Sequence, residues 1–599
     1  MKKMLSLILC LVMVMGVFVG CSELPDGVNG ATIDIYLTEA IYDFDPARAY
    51  DDASLMKIIP LLFEGLTRIN EKGKVENALM ESYETFTDPI TGKFTLEITL
   101  VDSWWSDGKV VQASDFAFAW KRILDPSADY GAAVLLYDIE NAYEAKMGDV
   151  SVDQVGISAP SGNILQIVFE HDDVDVTRFL ENLASPALAP VRSNKAVSTD
   201  YWAKQAFSLL TNGPFRVRTL DYETGFVLER NPNYRRDPEL DNPPALDKYV
   251  NPYRIAFNFA TDEDLATLLA EDEIFFIGEL PMENRASYLE DADITSTYNT
   301  LSLEFNLNNP LFANANVRRA LSLAVDREHI VNNILLLGEA ADGLVPPTVK
   351  YGSTKKSFRD KSGSLISTTA NLTEAQSLLQ QAGVSGGAFT LSVRNNAQDV
   401  AVANYLASAW GALGFTVTVN SVDPTLVENS KADYYEDTFT ELHTSGSFDV
   451  VLFDYTALGA NASSMLAPFA TGYSGKGVDM NDSSYPAIAH ESGYVSAEYT
   501  AIIDRAYATG DSNDRDAILI EAEKQLLTDM PITPLAFLEE ATITNENLSG
   551  IYVNRFGTVN FTRAVLKDWM DFNGIVITEP VETTPVESEE TTPAEDTEA

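Results

Sequence analysis

The sequence predicts an α/β fold with parallel strands, and three observations carry that reading. Between residues 373 and 419 the apolar period runs helical, alternating, helical and alternating again, which spells helix, strand, helix, strand. The 599 residues are 45% hydrophobic and 10% aromatic with only 22% charged, material for buried cores in about two to four compact units. After the leader, no apolar run approaches the ~20 residues a spanning helix needs, so the folded body is not expected to cross a membrane.

Taken in order, the leader has Lys2 and Lys3, an apolar run over residues 4–19, and then Gly20-Cys21-Ser22. Charge, apolar core and small residues in that order are those of a secretory signal. Cys10 and Cys21 are the two cysteines of the chain, so no disulfide or Cys-based zinc site is expected in the body. Val17-Phe18-Val19-Gly20-Cys21 resembles a bacterial lipobox, with Phe18 where Leu is usual. The resemblance implies acylation of the Cys21 thiol.

Trp104-Trp105-Ser106-Asp107-Gly108 reads as a strand end entering a turn. Ser114 is placed to cap a helix with Phe116, Trp120, Ile123 and Leu124 on one side. From about Asn316 a helix carries the stripe Val317, Ala320, Leu321 and Ala324, and Asp326 is placed to cap a second one with Ile330, Val331, Ile334 and Leu335. Thr373 and Gln376 suit a capping box for a helix with Ala375, Leu378, Leu379 and Ala382, stopped by Gly383. Phe389, Leu391 and Val393 then alternate as a strand. Val400, Ala403, Ala407 and Trp410 mark a helix closed by Gly414, and Phe415, Val417 and Val419 alternate again. Such a unit crosses over right-handed and sets its two strands parallel, as in a doubly wound sheet. Residues 576–599 repeat Thr, Pro and Glu without a Lys or Arg and are expected to be a disordered acidic tail.

With 41 Lys and Arg against 89 Asp and Glu, the formal charge is -48. Nucleic acid is excluded as a partner, because phosphate binding needs a basic face. No Gly-x-x-x-x-Gly-Lys-Ser/Thr run occurs, so ATP hydrolysis is expected elsewhere.

A set of motifs in fixed order then resembles the extracellular solute-binding proteins of the oligopeptide and dipeptide class, family 5. Among them are Pro60-Leu-Leu-Phe-Glu-Gly-Leu-Thr67, Trp105-Ser-Asp-Gly108, Thr211-Asn-Gly-Pro-Phe215 and Leu228-Glu-Arg-Asn-Pro-Asn-Tyr234. The order continues through Phe305-Asn-Leu-Asn308, Val317-Arg-Arg-Ala-Leu321, Ala324-Val-Asp-Arg327, Val345-Pro-Pro347, Phe448-Asp449, Glu521-Ala-Glu523 and Met530-Pro531. The resemblance implies a fold like the type II periplasmic binding proteins, two α/β lobes with an extra domain inserted in the first. The expected division is signal peptide 1–20, linker 21–30, lobe I from 31–70, 207–308 and 541–575, inserted domain 71–206, lobe II 309–540 and the tail 576–599. It implies a lipid-anchored receptor, monomeric and without cofactor, that closes on a solute and hands it to an ABC permease. Residues 303–307 alternate apolar and polar, as a strand joining the lobes would, and Leu303, Phe305 and Asn306 become hinge candidates. Peptides are the expected cargo. Other solutes on the same fold, such as oligosaccharides, nickel chelates or haem, and a sensor or adhesin without transport stand as alternatives.

No catalytic site is expected. Gly383-Val-Ser-Gly-Gly387 matches the Gly-x-Ser-x-Gly pattern, but that pattern needs a strand entering a helix, and Ser385 sits where a helix exits. Ser353-Thr-Lys-Lys356 and Lys361-Ser-Gly363 are crowded into one polar loop. His171, His329, His443 and His490 are scattered without metal-ligand spacing, and no metal is expected. In the peptide receptors this chain resembles, a segment beginning Phe-Asp carries a Gly-Trp pair and, three residues after the Trp, an Asp that pairs with the cargo's amino terminus. Counted from Phe448-Asp449, Asp454 and Tyr455 stand at the pair and Leu458 where the Asp belongs. Three readings follow. The cargo has no free amine there, Asp454 takes over through a shifted loop, or Asp454 and Tyr455 merely end a strand.

Overall fold

The structure is a computed structural model, and it describes residues 30–573 except 38–40, 49–52, 194–200, 223, 238, 240–247, 260–264, 429–432 and 478–489. Cys21, the signal and linker segments and the tail 576–599 lie outside the described residues.

The chain opens with strand β1 (Thr32–Tyr36), and then builds a separate antiparallel sheet from β2 (Met80–Thr87), β3 (Phe94–Leu100), β4 (Ile157–Ser161) and β5 (Ile164–Val168), in the order β2-β3-β5-β4. This sheet lies wholly within the span expected for the inserted domain. Helix α1 (Ala113–Ile123) covers it with Phe116, Ala119, Trp120 and Ile123 buried. Its cap differs from expectation: Gln112, not Ser114, is the N-cap, and Asp115 three residues on accepts from the Gln112 N–H and from Trp105 Nε1. Trp105 and Trp120 are fully buried. Trp120 Nε1 donates to the Leu188 carbonyl at 2.9 Å, which answers the one polar atom the ring brings inside.

The main sheet resumes with β6 (Phe215–Asp221), β7 (Gly225–Arg230), β8 (Arg254–Asn258) and β9 (Phe276–Ile277), followed by the short helix α2 (Met282–Tyr288) and the long strand β10 (Asp293–Phe305). Next come α3 (Ala315–Leu323), α4 (Leu372–Ala382), β11 (Gly387–Arg394), α5 (Ala397–Gly411), β12 (Phe415–Val422), α6 (Thr438–Thr444), β13 (Val450–Tyr455), α7 (Ser512–Asp529) and a second long strand, β14 (Ile532–Thr544). The order across the sheet is β12-β11-β13-β10-β14-β9-β1-β8-β7-β6. The expected β-α-β unit is present, with β11 and β12 parallel from Gly387 opposite Phe415 to Arg394 opposite Val422. The sheet as a whole is mixed: β10 pairs antiparallel with both β13 and β14.

Local punctuation departs from expectation in one more place. Helix α4 is capped by Asn371, whose Oδ1 accepts from the Glu374 N–H, two residues earlier than Thr373 and Gln376 would have it. Asp326 does cap its helix, accepting from the His329 N–H, and Gly383 ends α4 at φ 69°, a conformation a side chain disfavours. On α5 the buried face is Val402, Ala403, Leu406 and Trp410, rotated slightly from the predicted stripe.

Strands β10 and β14 run through both halves of the sheet. Residues 293–296 of β10 pair with 539–542 of β14, while 300–305 pair with β13 and 300–304 with 532–537. Between them the register breaks, three residues (297–299) facing one. A bulge of this kind bends and twists a ladder locally, and here it stands where the two halves meet.

Two motif segments meet at a buried ion pair. Glu523 on α7 is fully buried, and its Oε1 accepts from the Leu344 and Val345 N–H groups at 2.8 and 3.0 Å and from Arg359 Nη1 at 3.0 Å. Removing one partner of such a pair leaves the other charge uncompensated. Glu523→Ala is therefore expected to destabilise the protein by roughly 3–5 kcal/mol, read as a lowered urea midpoint with unchanged slope.

Candidate ligand site

Two adjoining cavities, of 290 and 730 Å³, open between the halves of the molecule and share Gly131, Thr440, Thr444, Ser474 and Glu491. The volumes are in the range of small-molecule and short-peptide sites. The smaller is walled by Tyr36, Lys57 and Glu279 on one side and by Arg394, His443 and Asp454 on the other.

On the first wall, Lys57 projects from the helix Ala53–Leu62 and is almost fully buried. Its Nζ lies 3.0 Å from Glu279 Oε2 and 3.1 Å from Glu540 Oε1. Burial alone would lower the ammonium's pKa, but the two carboxylates outweigh it and hold Lys57 above the usual lysine value. Burial pushes Glu540 up, and Lys57 opposes it.

Across the cleft, β13 delivers the residues singled out in the sequence. Asp454, Tyr455 and Leu458 all line the smaller cavity. The Tyr455 hydroxyl donates to the Met465 carbonyl at 2.6 Å, and burial raises its pKa well above the ordinary tyrosine value. Tyr455 therefore offers its ring rather than its hydroxyl. Leu458 is buried and apolar. Leu303 and Phe305 lie in the second half of the sheet, fully buried and paired with Leu452 and Val450, and Asn306 Nδ2 donates to the Gly446 and Phe448 carbonyls.

The acidic residue in the alternating segment 303–307 points inward. Glu304 is fully buried. Its Oε2 lies 2.8 Å from His443 Nε2 and its Oε1 2.7 Å from His490 Nδ1. Burial would raise this carboxyl's pKa, but the two imidazoles hold it well below the usual carboxylate range. His443 comes from α6 and His490 from a loop, so nothing in their spacing announced the meeting. The one signal was an acidic residue in an otherwise buried strand. His329 is exposed, stacked on Tyr405, and His171 is exposed as well.

Contacts also span the cleft. Arg285 on α2 donates through Nη1 to Gln398 Oε1 at 2.8 Å and to the Leu335 carbonyl at 2.9 Å, both on the far half. Burial lowers the Arg285 pKa against the pull of Glu279, Glu540, Glu283 and Asp454. Beside the larger cavity, Tyr435 sits between Tyr42 and Tyr222, with ring centroids 6.0 and 5.6 Å away.

A cleft between two α/β halves joined by long shared strands is the architecture of a solute receptor, and the profile of bacterial extracellular solute-binding proteins, family 5 (middle region), matches residues 74–477. The chain belongs to that family. The dipeptide-binding protein DppE of Bacillus subtilis (strain 168) is 26% identical over 548 residues, 88% of this chain and 90% of DppE. The oligopeptide-binding protein OppA of the same organism is 25% identical over 588 residues, 95% and 100% of the two chains. Among solved structures, the Escherichia coli murein tripeptide binding protein MppA superposes with a TM-score of 0.74 at 21% identity, covering 90% of this chain and 99% of its own. Listeria monocytogenes OppA bound to peptide also gives 0.74, at 19% identity and with the same coverage. The fold is that of the type II periplasmic binding proteins. No helix among the described residues is long and apolar enough to cross a membrane.

The Arg285 to Gln398 contact exists only while the halves are together. Gln398→Ala removes one hydrogen bond from a charged donor, worth about 1.5–3 kcal/mol, and shifts the population of a closing receptor toward its open form at least about tenfold. Small-angle scattering of the cargo-free variant is expected to give a larger radius of gyration than the parent protein.

Proposed function

We propose that this family 5 member is a lipid-anchored receptor that captures peptides between its lobes and delivers them to an ABC permease. The observation that carries the reading is the cleft itself: two adjoining chambers walled by both lobes and lined by paired charges and aromatic rings. Relatives named for dipeptides and oligopeptides cover most of the chain, which supports peptides as the cargo. The bulge at 297–299 is the pivot we assign to lobe closure, with Leu303, Phe305 and Asn306 moving as part of the second lobe.

The cargo's amine meets an altered site. Leu458 cannot compensate an ammonium, and a buried unpaired charge is strongly disfavoured. We infer that peptide affinity depends less on a free N-terminus than in the receptors this chain resembles, with Asp454 the carboxylate that β13 contributes to the cavity wall.

Calorimetry with matched free and N-acetylated oligopeptides tests both statements. Comparable affinities are expected. Absence of binding by either form overturns the peptide reading, whereas a loss of roughly 3–5 kcal/mol on acetylation overturns the altered amine site alone, and its disappearance in Asp454→Asn would assign the amine to Asp454.

The anchor is tested separately. One acyl chain binds a membrane only marginally, so a diacylated Cys21 is the tether this reading requires. Cys21→Ser is expected to release the protein into the medium, and a variant that stays with the membrane fraction would assign the tether to the apolar leader.

A further inference from the structure

Of the four histidines in the chain, two converge on one buried carboxylate at the floor of the cleft. The arrangement differs from a simple hydrogen-bonded triad. Glu304 Oε1 stands 2.7 Å from His490 Nδ1, an ion pair without regular hydrogen-bond geometry. His490 Nδ1 instead accepts from the Ser492 N–H at 3.4 Å and lies 3.1 Å from Ser492 Oγ. Glu491 Oε1 lies 3.4 Å from His490 Nε2, and one donor atom from each of Glu304, His490 and Glu491 falls within 4.8 Å of the others. A buried carboxylate is costly unless something cationic answers it, a role open to a metal ion as well as to an imidazolium.

We propose that Glu304, His490 and Glu491, with His443 as the fourth donor, hold a divalent transition-metal cation of the zinc class. Two imidazoles and two carboxylates are the ligand types such ions take, and two carboxylates neutralise a divalent charge in a dry site. Tetrahedral coordination at ~2.0–2.1 Å places donors about 3.4 Å apart, so Glu304 Oε1 and His490 Nδ1, 2.7 Å apart, must separate, and donors as far as 4.8 Å apart must draw together around the ion. His443, His490 and Glu491 line the smaller cavity and Glu304 lies behind them, which gives the ion one face toward the cargo. A carboxylate, imidazole or unprotonated amine of a bound solute is the chemistry that face would accept. The metal site stands on the cleft geometry and is independent of whether the cargo is a peptide.

The test uses the full chain, stripped with a chelator and titrated with zinc chloride alone, by calorimetry and native mass spectrometry. One zinc per chain is expected. His490→Gln and Glu491→Gln should each weaken it at least about tenfold, while His329→Gln, on the exposed surface, leaves it unchanged. Because His490 is buried and its variant is at risk of misfolding, Glu491→Gln and His443→Gln, both at partly exposed positions, decide in that event. No stoichiometric zinc in the parent protein overturns the proposal. So does zinc binding that these ligand variants leave intact, which would be diffuse binding to an acidic surface.

Discussion

Two strands make this molecule one object. β10 and β14 run antiparallel through both halves of the sheet, and each half is completed by strands that return from elsewhere in the chain. Everything that faces the cleft hangs from that pair. Glu304 lies on β10, Glu540 on β14, and β13, which carries Asp454 and Tyr455, is positioned by its pairing with residues 300–305. Burying most of their length on both faces has a price: the polar side chains there need partners inside. Thr297 Oγ1 donates to the Leu538 carbonyl at the bulge, Thr300 Oγ1 to the Leu344 carbonyl, and Glu304 sits between two imidazoles.

The same demand explains the arginines of the motifs. In a chain of net charge -48, carboxylate partners would be the simple expectation for a buried cation, yet several buried cations are answered by main-chain carbonyls. Arg327 donates to the carbonyls of Pro534, Ser322 and Ser367, and Arg318 to those of Met530 and Asp529. Lys146 does the same for Ile123, Asp125 and Ala128. Burial dominates their titration, pushing Arg327 and Arg318 down to about 10 and Lys146 to about 8. Carbonyl dipoles stabilise the cation less than a carboxylate does, but they cost no second buried charge. Their structural return is the chain end each one ties down. Arg318 holds the last turn of α7, where Met530 adopts φ 54° before Pro531.

The β-α-β unit was legible because its signals are local. Period, capping and a glycine stop lie within a few residues of one another, and even the misplaced caps at Ser114 and Thr373 were off by two positions with the helix itself in place. Family motifs extended that reach to the lobes. The cleft was legible only where a motif pointed into it, at Asp454, Tyr455 and Leu458. Lys57 with Glu279 and Glu540, Arg285 with Gln398, and Glu304 with His443 and His490 join residues more than a hundred positions apart. No period or spacing encodes such pairs, since it is the sheet order, with β10 beside both β13 and β14, that brings them together. A charged residue within a buried strand marks the place without naming the partner.

Around the two cavities, the contacts that cross the cleft include an arginine to an amide, an arginine to a carbonyl, a Lys204–Glu436 ion pair at 3.8 Å, and a tyrosine between two others. Each is worth about 1–3 kcal/mol, and the entropy of holding the lobes together opposes their sum. Moving a two-state receptor from 1:99 to 99:1 takes about 5.5 kcal/mol of differential binding. Latches much stronger than these would close the empty cleft and leave the cargo little to decide, and they would resist the opening that release requires. Weak cross-cleft contacts on a stiff pair of shared strands therefore place the balance where a bound solute, touching both walls, can tip it.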